Sequence, residues 1–338
     1  MSADRVHLGI NVNNRVPVIF PQDYPPPRML ELAERAEALG YDYVFAGDNF
    51  FGTARYESLT TLAAIAARTR RVKLGTAILI ATLRHTVWLA LHWATIDQLS
   101  EGRTILNMAV GAASPEYEGG ENEKEFAVAG VEKKTRGALL EEQVAVLRGL
   151  WTQERFTYHG KFHHLDAVPA GLRPRQVPCP PIWLANNPQI YAVGSKLRER
   201  MLRRVGRLAD GWMTCTATQE EYRELWQAVR AYAAEYGRDP EALEPAYQMT
   251  VNVNPDRRQA RAEALEYLNA YYVSSLKDLS DSFWRRDPFG SPQEIIDRVG
   301  GLVEAGCRHF IVRFASRHQF QQLDLFTQHV FERVRGMR

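Results

Sequence analysis

Three stretches near the start of the chain decide its fold: the apolar run YVFAG (43–47), the segment SLTTLAAIAART (58–69) and the apolar run VKLGTAILI (72–80). The two apolar runs are short and almost unbroken, as strands are when both faces of a parallel sheet are covered. The segment between them repeats its apolar residues at intervals of three and four, which is the period of an amphipathic helix. The sequence therefore predicts a strand–helix–strand unit over residues 43–80.

The same alternation continues along the whole chain. Further helical segments with apolar residues three and four apart span 28–39, 86–99 and 139–151. The eight strand-like runs begin at Val6, Tyr43, Val72, Arg103, Pro181, Gly211, Ala246 and His309. This order predicts a (β/α)8 TIM barrel in one domain over residues 1–338, with loop insertions after strands 4, 5 and 7. An alternating segment around a turn at 156–163 predicts a β-hairpin.

The composition argues against several classes of protein. Hydrophobic residues make up 45% of the chain and charged residues 24%, which is ordinary for a soluble globular protein. The net charge is +2 with both signs interspersed, so nothing favours nucleic acid or a membrane surface. The amino-terminal MSADRVHLGI lacks the order of a secretory signal, and no run has membrane-spanning length. Cys179, Cys215 and Cys307 are odd in number and far apart, which suits a reducing compartment, so we expect a cytoplasmic protein.

Several common catalytic signatures are absent from the sequence. It contains no GxGxxG after a strand, no GxxxxGK[ST] and no GxSxG, which argues against Rossmann, P-loop and esterase chemistry. His163 and His164 have no partner at metal-ligand spacing, so we predict no metal site. Functional residues are therefore sought where barrel enzymes carry them, at the carboxyl ends of the strands.

Two of these strand ends carry candidates for acid–base catalysis. Asp48 and Asn49 follow the second predicted strand, and His85 follows the third. A carboxylate or an imidazole at such a position can transfer protons. The alternative is structural, because Asp-Asn pairs also form turns and helix caps, and loop histidines often only pack.

A third group of residues is suited to binding an anion. Asn186 and Asn187 follow the fifth predicted strand, and Gly194, Ser195 and Lys196 lead into a helix. Free backbone amides and the helix dipole favour an anion at such an amino terminus. Arg313, at the end of the eighth strand, competes as a phosphate-binding residue because barrels often bind phosphate near strands seven and eight.

Taken in order, several stretches resemble the luciferase-like flavin monooxygenase superfamily, whose members are (β/α)8 barrels. The stretches that carry the resemblance include LAERAEALGYDYVFAGDNF (32–50), WATIDQLSEGRTILNMAVG (93–111), PPIWLANNP (180–188) and GSPQEIIDRVGGLVEAGCRHFIVRF (290–314). The resemblance implies reduced FMN, supplied by a flavin reductase, which reacts with O2 to give a C4a-peroxyflavin that oxidises a small organic substrate. The alternative within the family is the deazaflavin F420, which transfers a hydride without oxygen chemistry. A homodimer is also implied, formed through helices that carry Trp88 and Trp93.

The resemblance also assigns cofactor-binding residues. Ala77-Ile78 corresponds to a non-prolyl cis peptide that supports the flavin ring. The residues expected around the ring are Thr76, Ala77, Ile78, Asn107, Ala109 and Gly111. The residues expected near the cofactor phosphate are Asn186, Asn187, Gly194, Ser195 and Lys196.

The chain departs from the family pattern at two catalytic positions. Many relatives have a histidine where Asn49 stands, and F420-dependent sugar-phosphate dehydrogenases also need a glutamate where residues 112–114 read Ala-Ala-Ser. That activity is therefore not expected, and proton transfer would come from Asp48, His85 or solvent. We predict an FMN-dependent monooxygenase first and an F420-dependent oxidoreductase second. A barrel that only stores flavin is the third reading.

Overall fold

Eight parallel strands close into a barrel in the computed structural model, which describes residues 5–51, 53–111, 121–191, 196–273, 276–279 and 286–337. The strands are β1 His7–Asn11, β2 Tyr43–Ala46, β3 Lys73–Thr76, β4 Thr104–Ala109, β5 Ile182–Ala185, β6 Gly211–Cys215, β7 Glu244–Val253 and β8 His309–Phe314. Each strand pairs with the next, and β8 pairs with β1 to complete the ring. Every strand matches one of the eight predicted runs, so the predicted fold is confirmed.

The barrel interior is filled by side chains that alternate along the strands. The buried interior cluster consists of Tyr43, Phe45, Ala77, Ile105, Trp183, Met213, Ala246 and Ile311. The large rings of β2 fit because two neighbouring strands offer glycine beside them. A Cβ at Gly9 would lie 2.3 Å from the Tyr43 Cβ, and one at Gly75 would lie 2.5 Å from the Phe45 ring.

An outer layer of helices covers the barrel and buries its apolar faces against the strands. The longer helices are Pro27–Ala38, Ser58–Arg68, Thr86–Leu99, Arg136–Thr152, Lys196–Leu208, Gln219–Glu235, Arg257–Tyr272, Pro292–Glu304 and Gln319–Phe326. Shorter helical elements are Val16–Ile19, Ala81–Leu83, Glu121–Val128, Pro188–Tyr191, Pro240–Ala242, Thr327–Phe331 and Glu332–Arg335. Capping boxes at Thr218 and Ser291 fix the starts of two of these helices, since each side chain pairs with a glutamate three residues on.

Further elements lie outside the eight strands and the long helices. The hairpin is confirmed as Arg155–His159 paired with His164–Pro169. After β4 the chain forms the helix Glu121–Val128, and after β7 a two-residue strand, Phe289–Gly290, pairs with the end of β7. Within the described ranges, no helix combines the length and apolar character that a bilayer crossing needs.

The helix Thr86–Leu99 carries the two tryptophans named for a dimer contact. Trp88 is 60% exposed, whereas Trp93 is fully buried. Only Trp88 of this pair can therefore contact a second copy of the chain, and the homodimer stays a prediction.

Candidate active site

The end of β3 has an irregular backbone at the carboxyl-terminal mouth of the barrel. The Ala77-Ile78 peptide is cis, as the family resemblance predicted. The predicted run 72–80 is divided here, because β3 ends at Thr76 and a separate strand, Leu79–Ile80, resumes pairing with β4. Side chains bridge the gap: the Thr76 hydroxyl donates to the Asn107 carbonyl at 2.7 Å, and the Asn107 side-chain amide donates to the Thr76 carbonyl at 3.0 Å.

One polar atom of Asn107 is available for hydrogen bonding in the barrel interior. Its side chain is fully buried, and its Oδ1 has no hydrogen-bond partner among the described residues. An unsatisfied buried oxygen costs about 1–3 kcal/mol, so it is suited to accept a hydrogen bond from a ligand. The imide N–H of a flavin or deazaflavin ring is such a donor, so this residue fits either cofactor.

The remaining residues predicted around the ring lie on the same side of the mouth. Ala109 ends β4, and Ile78 is partly exposed beside it. Gly111 has φ +84°, and a Cβ there would lie 2.6 Å from the Phe126 ring. Glycine at this position therefore allows the helix Glu121–Val128 to pack closely over the end of β4.

The Asp48 carboxylate forms an ion pair and hydrogen bonds with neighbouring protein groups. Its carboxylate pairs with the Arg84 guanidinium at 2.5 and 2.8 Å, and it accepts from the Ile80 backbone N–H at 2.9 Å and the Ser58 hydroxyl at 3.1 Å. Burial alone would lower the pKa of Arg84, but the neighbouring Asp48 and Glu57 carboxylates hold that pKa above its ordinary value. Asp48 thus joins the end of β2 to the strand that follows the cis peptide. These contacts favour a positioning role.

The other two predicted acid–base candidates lie in different environments. Asn49 accepts a hydrogen bond from the Thr53 backbone N–H at 3.1 Å and has no titratable group. His85 is exposed at the start of the helix Thr86–Leu99, and its side chain does not cap that helix. The structure therefore does not bring His85 into the buried group around Asp48.

A glutamate that the sequence did not single out lies beside the Asp48 loop. Glu125 is 2% exposed and accepts hydrogen bonds from the backbone N–H groups of Phe50, at 3.0 Å, and Phe51. The family pattern predicted a glutamate directly after β4, whereas this one is carried by the next helix. Nothing in the stretch ENEKEFAV (121–128) distinguishes Glu125 from the acidic residues around it.

The two asparagines after β5 have different roles. Asn186 accepts from the Trp212 indole at 3.1 Å and donates to the Met201 carbonyl at 3.2 Å, so its amide is used within the fold. Asn187 accepts from the Thr214 hydroxyl at 2.9 Å and the Cys215 N–H at 3.0 Å, which leaves its Nδ2 without a partner among the described residues. Lys196 is exposed at the start of its helix. The predicted anion-binding residues Gly194 and Ser195 lie outside the described residues.

The far wall of the mouth is formed by β6, β7 and β8. Arg313 donates to the Tyr272 hydroxyl at 2.7 Å and to the Thr250 hydroxyl at 2.9 Å. Close to these groups, Asp287 is 5% exposed, and its Oδ1 has no hydrogen-bond partner in the described part of the chain. Burial raises the pKa of Asp287 to about 7, against the opposing effect of Arg298 and Arg313. The alternation of side chains along β7 and β8 predicts that Gln248, Thr250 and Arg313 point toward the interior. Asp287 lies outside the eight strands, so no such alternation predicts its position beside them.

A family profile described as luciferase-like monooxygenase matches residues 6–309. The chain belongs to the luciferase-like monooxygenase family. An F420-dependent glucose-6-phosphate dehydrogenase from Nakamurella multipartita is 26% identical over 340 residues, which cover 94% of this chain and 95% of that protein. The chain is accordingly an enzyme of the luciferase-like oxidoreductase class.

Solved structures of other proteins show the same barrel. An F420-dependent secondary alcohol dehydrogenase in complex with an F420–acetone adduct has a TM-score of 0.77 and 22% identity, over 98% of this chain and 99% of that one. Monooxygenase RslO1 from Streptomyces bottropensis has a TM-score of 0.75 and 23% identity, over 96% of this chain and 99% of that one. At these identities the likeness concerns the fold.

Proposed function

We propose that the enzyme is an F420-dependent oxidoreductase that transfers a hydride between the deazaflavin and a small organic substrate. The observation that carries this proposal is the match to an F420-dependent relative across 94% of the chain. The prediction from sequence had placed an FMN-dependent monooxygenase first. The similarity to curated relatives supports the second reading better.

Residues at the ends of β3 and β4 would hold the ring of the cofactor. The bound deazaflavin supplies a carbon that accepts or returns a hydride. Ala77, Ile78, Ala109 and Gly111 offer small or apolar surface on that side of the mouth. Asn107 Oδ1 would accept a hydrogen bond from a ring N–H of the cofactor, and the two Thr76–Asn107 bonds hold that side chain in place.

Polar groups at β5 would hold the phosphate-bearing chain of the cofactor. Asn187 offers its side-chain N–H groups, and Lys196 adds a positive charge at a helix start. The predicted contacts of Gly194 and Ser195 belong to the same proposal. Asn186 supports this region by joining Trp212 to the helix Lys196–Leu208.

The proton of an alcohol substrate needs an acceptor when the hydride leaves its carbon. Asp48 already pairs with Arg84, and Asn49 cannot accept a proton under ordinary conditions. The Asp287 Oδ1 accepts no hydrogen bond from a described residue, and burial raises the pKa of this carboxyl to about 7, which suits general acid–base catalysis near neutral pH. We assign the proton transfer to Asp287. Because Asn49 replaces the family histidine, we expect a substrate other than glucose 6-phosphate.

The test is an anaerobic turnover assay with F420. The full-length enzyme is mixed with oxidised F420 and a panel of primary and secondary alcohols, and loss of the visible absorbance of F420 reports hydride transfer. The proposal predicts turnover with at least one alcohol and much slower turnover in the Asp287→Asn variant. Absence of F420 binding, measured separately by fluorescence, would overturn the proposal.

A second candidate function is the FMN-dependent monooxygenase. The family description and the fold shared with monooxygenase RslO1 favour it. Its experiment is oxygen uptake by the enzyme in the presence of photoreduced FMN and candidate substrates. Formation of an oxygenated product in that assay, without any F420 turnover, would establish this candidate in place of the first.

A further inference from the structure

Three arginines from separate parts of the chain surround one tyrosine at the mouth of the barrel. The guanidinium carbons of Arg15, Arg55 and Arg313 lie 5.7, 5.5 and 5.1 Å from the centre of the Tyr271 ring. Arg15 follows β1, Arg55 belongs to the loop after β2, and Arg313 ends β8. Closure of β8 on β1 brings the three together.

Two of these arginines have only neutral partners. Arg15 donates to the carbonyls of Tyr271, at 2.7 Å, and Ala54, at 2.6 Å. Arg55 donates to the Thr53 hydroxyl at 2.8 Å, to the Thr53 carbonyl at 3.3 Å and to the Tyr271 hydroxyl at 3.1 Å. Neither forms an ion pair with a carboxylate in the part of the chain that the structure describes.

Arg84, at the same mouth, is an arginine whose positive charge is balanced by carboxylates. It pairs with the carboxylates of Asp48 and Glu57. Arg15 is 4% exposed and lacks such a partner, and both burial and the nearby Arg55 lower its pKa. Holding the buried Arg15 beside a second cation without a carboxylate partner costs free energy, so the arrangement favours binding of a negative charge. Asp287 lies near Arg313, so the need for an external anion arises at Arg15 and Arg55.

The position of the cluster separates it from the proposed cofactor site. The ring is assigned to β3 and β4, and the cofactor phosphate to the loop after β5. The arginine cluster lies at β8, β1 and the loop after β2. In the ring of eight strands, β8 and β1 stand across the barrel from β4 and β5. An anion at the cluster would therefore approach the ring from the side opposite the cofactor tail.

We propose that Arg15, Arg55 and Arg313 form a subsite for an anionic group of the substrate, either a carboxylate or a phosphate ester. The planar guanidinium group matches both groups through paired N–H donors. Arg15 Nη2 makes no hydrogen bond to a described residue, and Arg55 is partly exposed, so both have donors to offer. This assignment rests on the proposed function only in taking the mouth as the place where substrate meets cofactor.

The competing explanation is that the anion is Tyr271 itself. Burial alone would raise the pKa of Tyr271, but Arg55, Arg313 and Arg15 together hold it below its ordinary value. A tyrosinate would neutralise part of the cluster and leave no role for an external anion. Ultraviolet difference spectra between wild type and Tyr271→Phe at neutral pH distinguish the two states of this phenol.

The test is calorimetric titration of the full-length, cofactor-free protein with inorganic phosphate and, separately, with acetate. We expect saturable binding at one site, weakened at least about tenfold in Arg55→Gln and in Arg15→Gln. The matched control is Arg35→Gln, which removes an exposed arginine paired with Asp324 and should leave binding unchanged. Tighter binding of phosphate identifies a phosphate ester, and tighter binding of acetate identifies a carboxylate.

Two controls keep the proposal open to refutation. Urea unfolding of each variant shows whether it is folded, and Arg55→Lys, which keeps the charge, should retain more affinity than Arg55→Gln. Absence of saturable binding by wild type, equal binding by wild type and Arg55→Gln, or a tyrosinate spectrum without anion binding would overturn the subsite. Because no cofactor is present, loss of F420 binding with intact phosphate binding would refute the proposed function alone.

Discussion

The two ends of the barrel interior differ in how their polar side chains are hydrogen-bonded. At the amino-terminal end, the Tyr43 hydroxyl and His309 Nδ1 pair at 2.7 Å, and the Trp183 indole donates to Glu244 at 2.8 Å. At the mouth, Asn107 Oδ1 is buried without a partner, and the Gln248 amide makes no hydrogen bond to a described residue. We call the amino-terminal end the closed end, because these four side chains pair with one another. At the mouth, the Asn107 oxygen and the Gln248 amide can bind a ligand.

This difference implies that residues at one end of the strands mainly determine stability, whereas residues at the other end mainly determine ligand binding. Paired and packed groups at the closed end stabilise the fold, and open polar groups at the mouth cost free energy until a ligand binds. Substitutions at the two ends should therefore have separable effects. The closed end should respond in unfolding experiments, and the mouth should respond in binding and turnover.

The largest expected effect is at the closed end. Trp183→Ala removes a buried ring that contacts Tyr43, Phe45 and His309, and it should lower the free energy of unfolding by about 3–5 kcal/mol. Urea unfolding measures this loss. Leu172→Ala is the control, because that apolar side chain is exposed and has no proposed role in a dimer contact. A loss below about 1 kcal/mol for Trp183→Ala would mean that the closed end contributes little stability.

The next effect is a pH dependence that originates at the mouth. Because the pKa of Asp287 is raised to about 7, the folded protein holds a proton that the unfolded chain releases near pH 4. The free energy of unfolding therefore falls as the pH rises through that interval. Asp287→Asn should remove this fall, on the order of a few kcal/mol. Urea unfolding of both proteins across the interval measures it, and parallel pH profiles would contradict the assignment.

A smaller loss is expected when one hydrogen bond at the closed end is removed. Tyr43→Phe leaves His309 Nδ1 without its partner, at a cost of about 1–3 kcal/mol. Burial and the neighbouring His7 lower the pKa of His309 to about 3, so the ring is neutral at pH 7. Thermal or urea unfolding measures the loss, with the exposed Tyr56→Phe as control. A change in cofactor affinity without loss of stability would show that Tyr43 acts in binding and would contradict the role assigned to the closed end.

The smallest effect on stability belongs to the mouth. Gln248→Ala should change the free energy of unfolding by no more than about 0.5 kcal/mol, because its amide has no described partner to lose. Gln143→Ala is the contrasting variant, since that amide donates to the carbonyls of Ala81 and Arg84. Gln248→Ala should weaken cofactor or substrate binding. Unaltered binding together with a large loss of stability would show that Gln248 is structural.

The sequence predicted the features that depend on local pattern. Unbroken apolar runs predicted all eight strands, and the alternation around a turn predicted the hairpin Arg155–His159 with His164–Pro169. The family resemblance located the cis peptide at Ala77-Ile78. It favoured FMN over F420, however, a preference that the curated relatives do not support.

What the sequence missed depends on closure of the barrel. The sequence named Arg313 as a candidate for binding phosphate, but it did not group that residue with Arg15, Arg55 and Tyr271. These residues are separated by up to almost the whole chain, and the pairing of β8 with β1 brings them together. Glu125 was missed because its helix, and not the strand end, brings it to the loop after β2. The exposure of His85, which precedes the helix Thr86–Leu99, was likewise not evident from its place after a strand, and its catalytic role stays a prediction.

The central claim is that the mouth of the barrel binds F420 in preference to FMN. The most direct test is equilibrium binding of oxidised F420 and of FMN to the same preparation of the full-length enzyme. Fluorescence titration gives both dissociation constants under identical conditions. Our account predicts that F420 binds at least about tenfold more tightly than FMN, and that Asn107→Leu weakens this binding. Tighter binding of FMN would contradict the account and favour the monooxygenase.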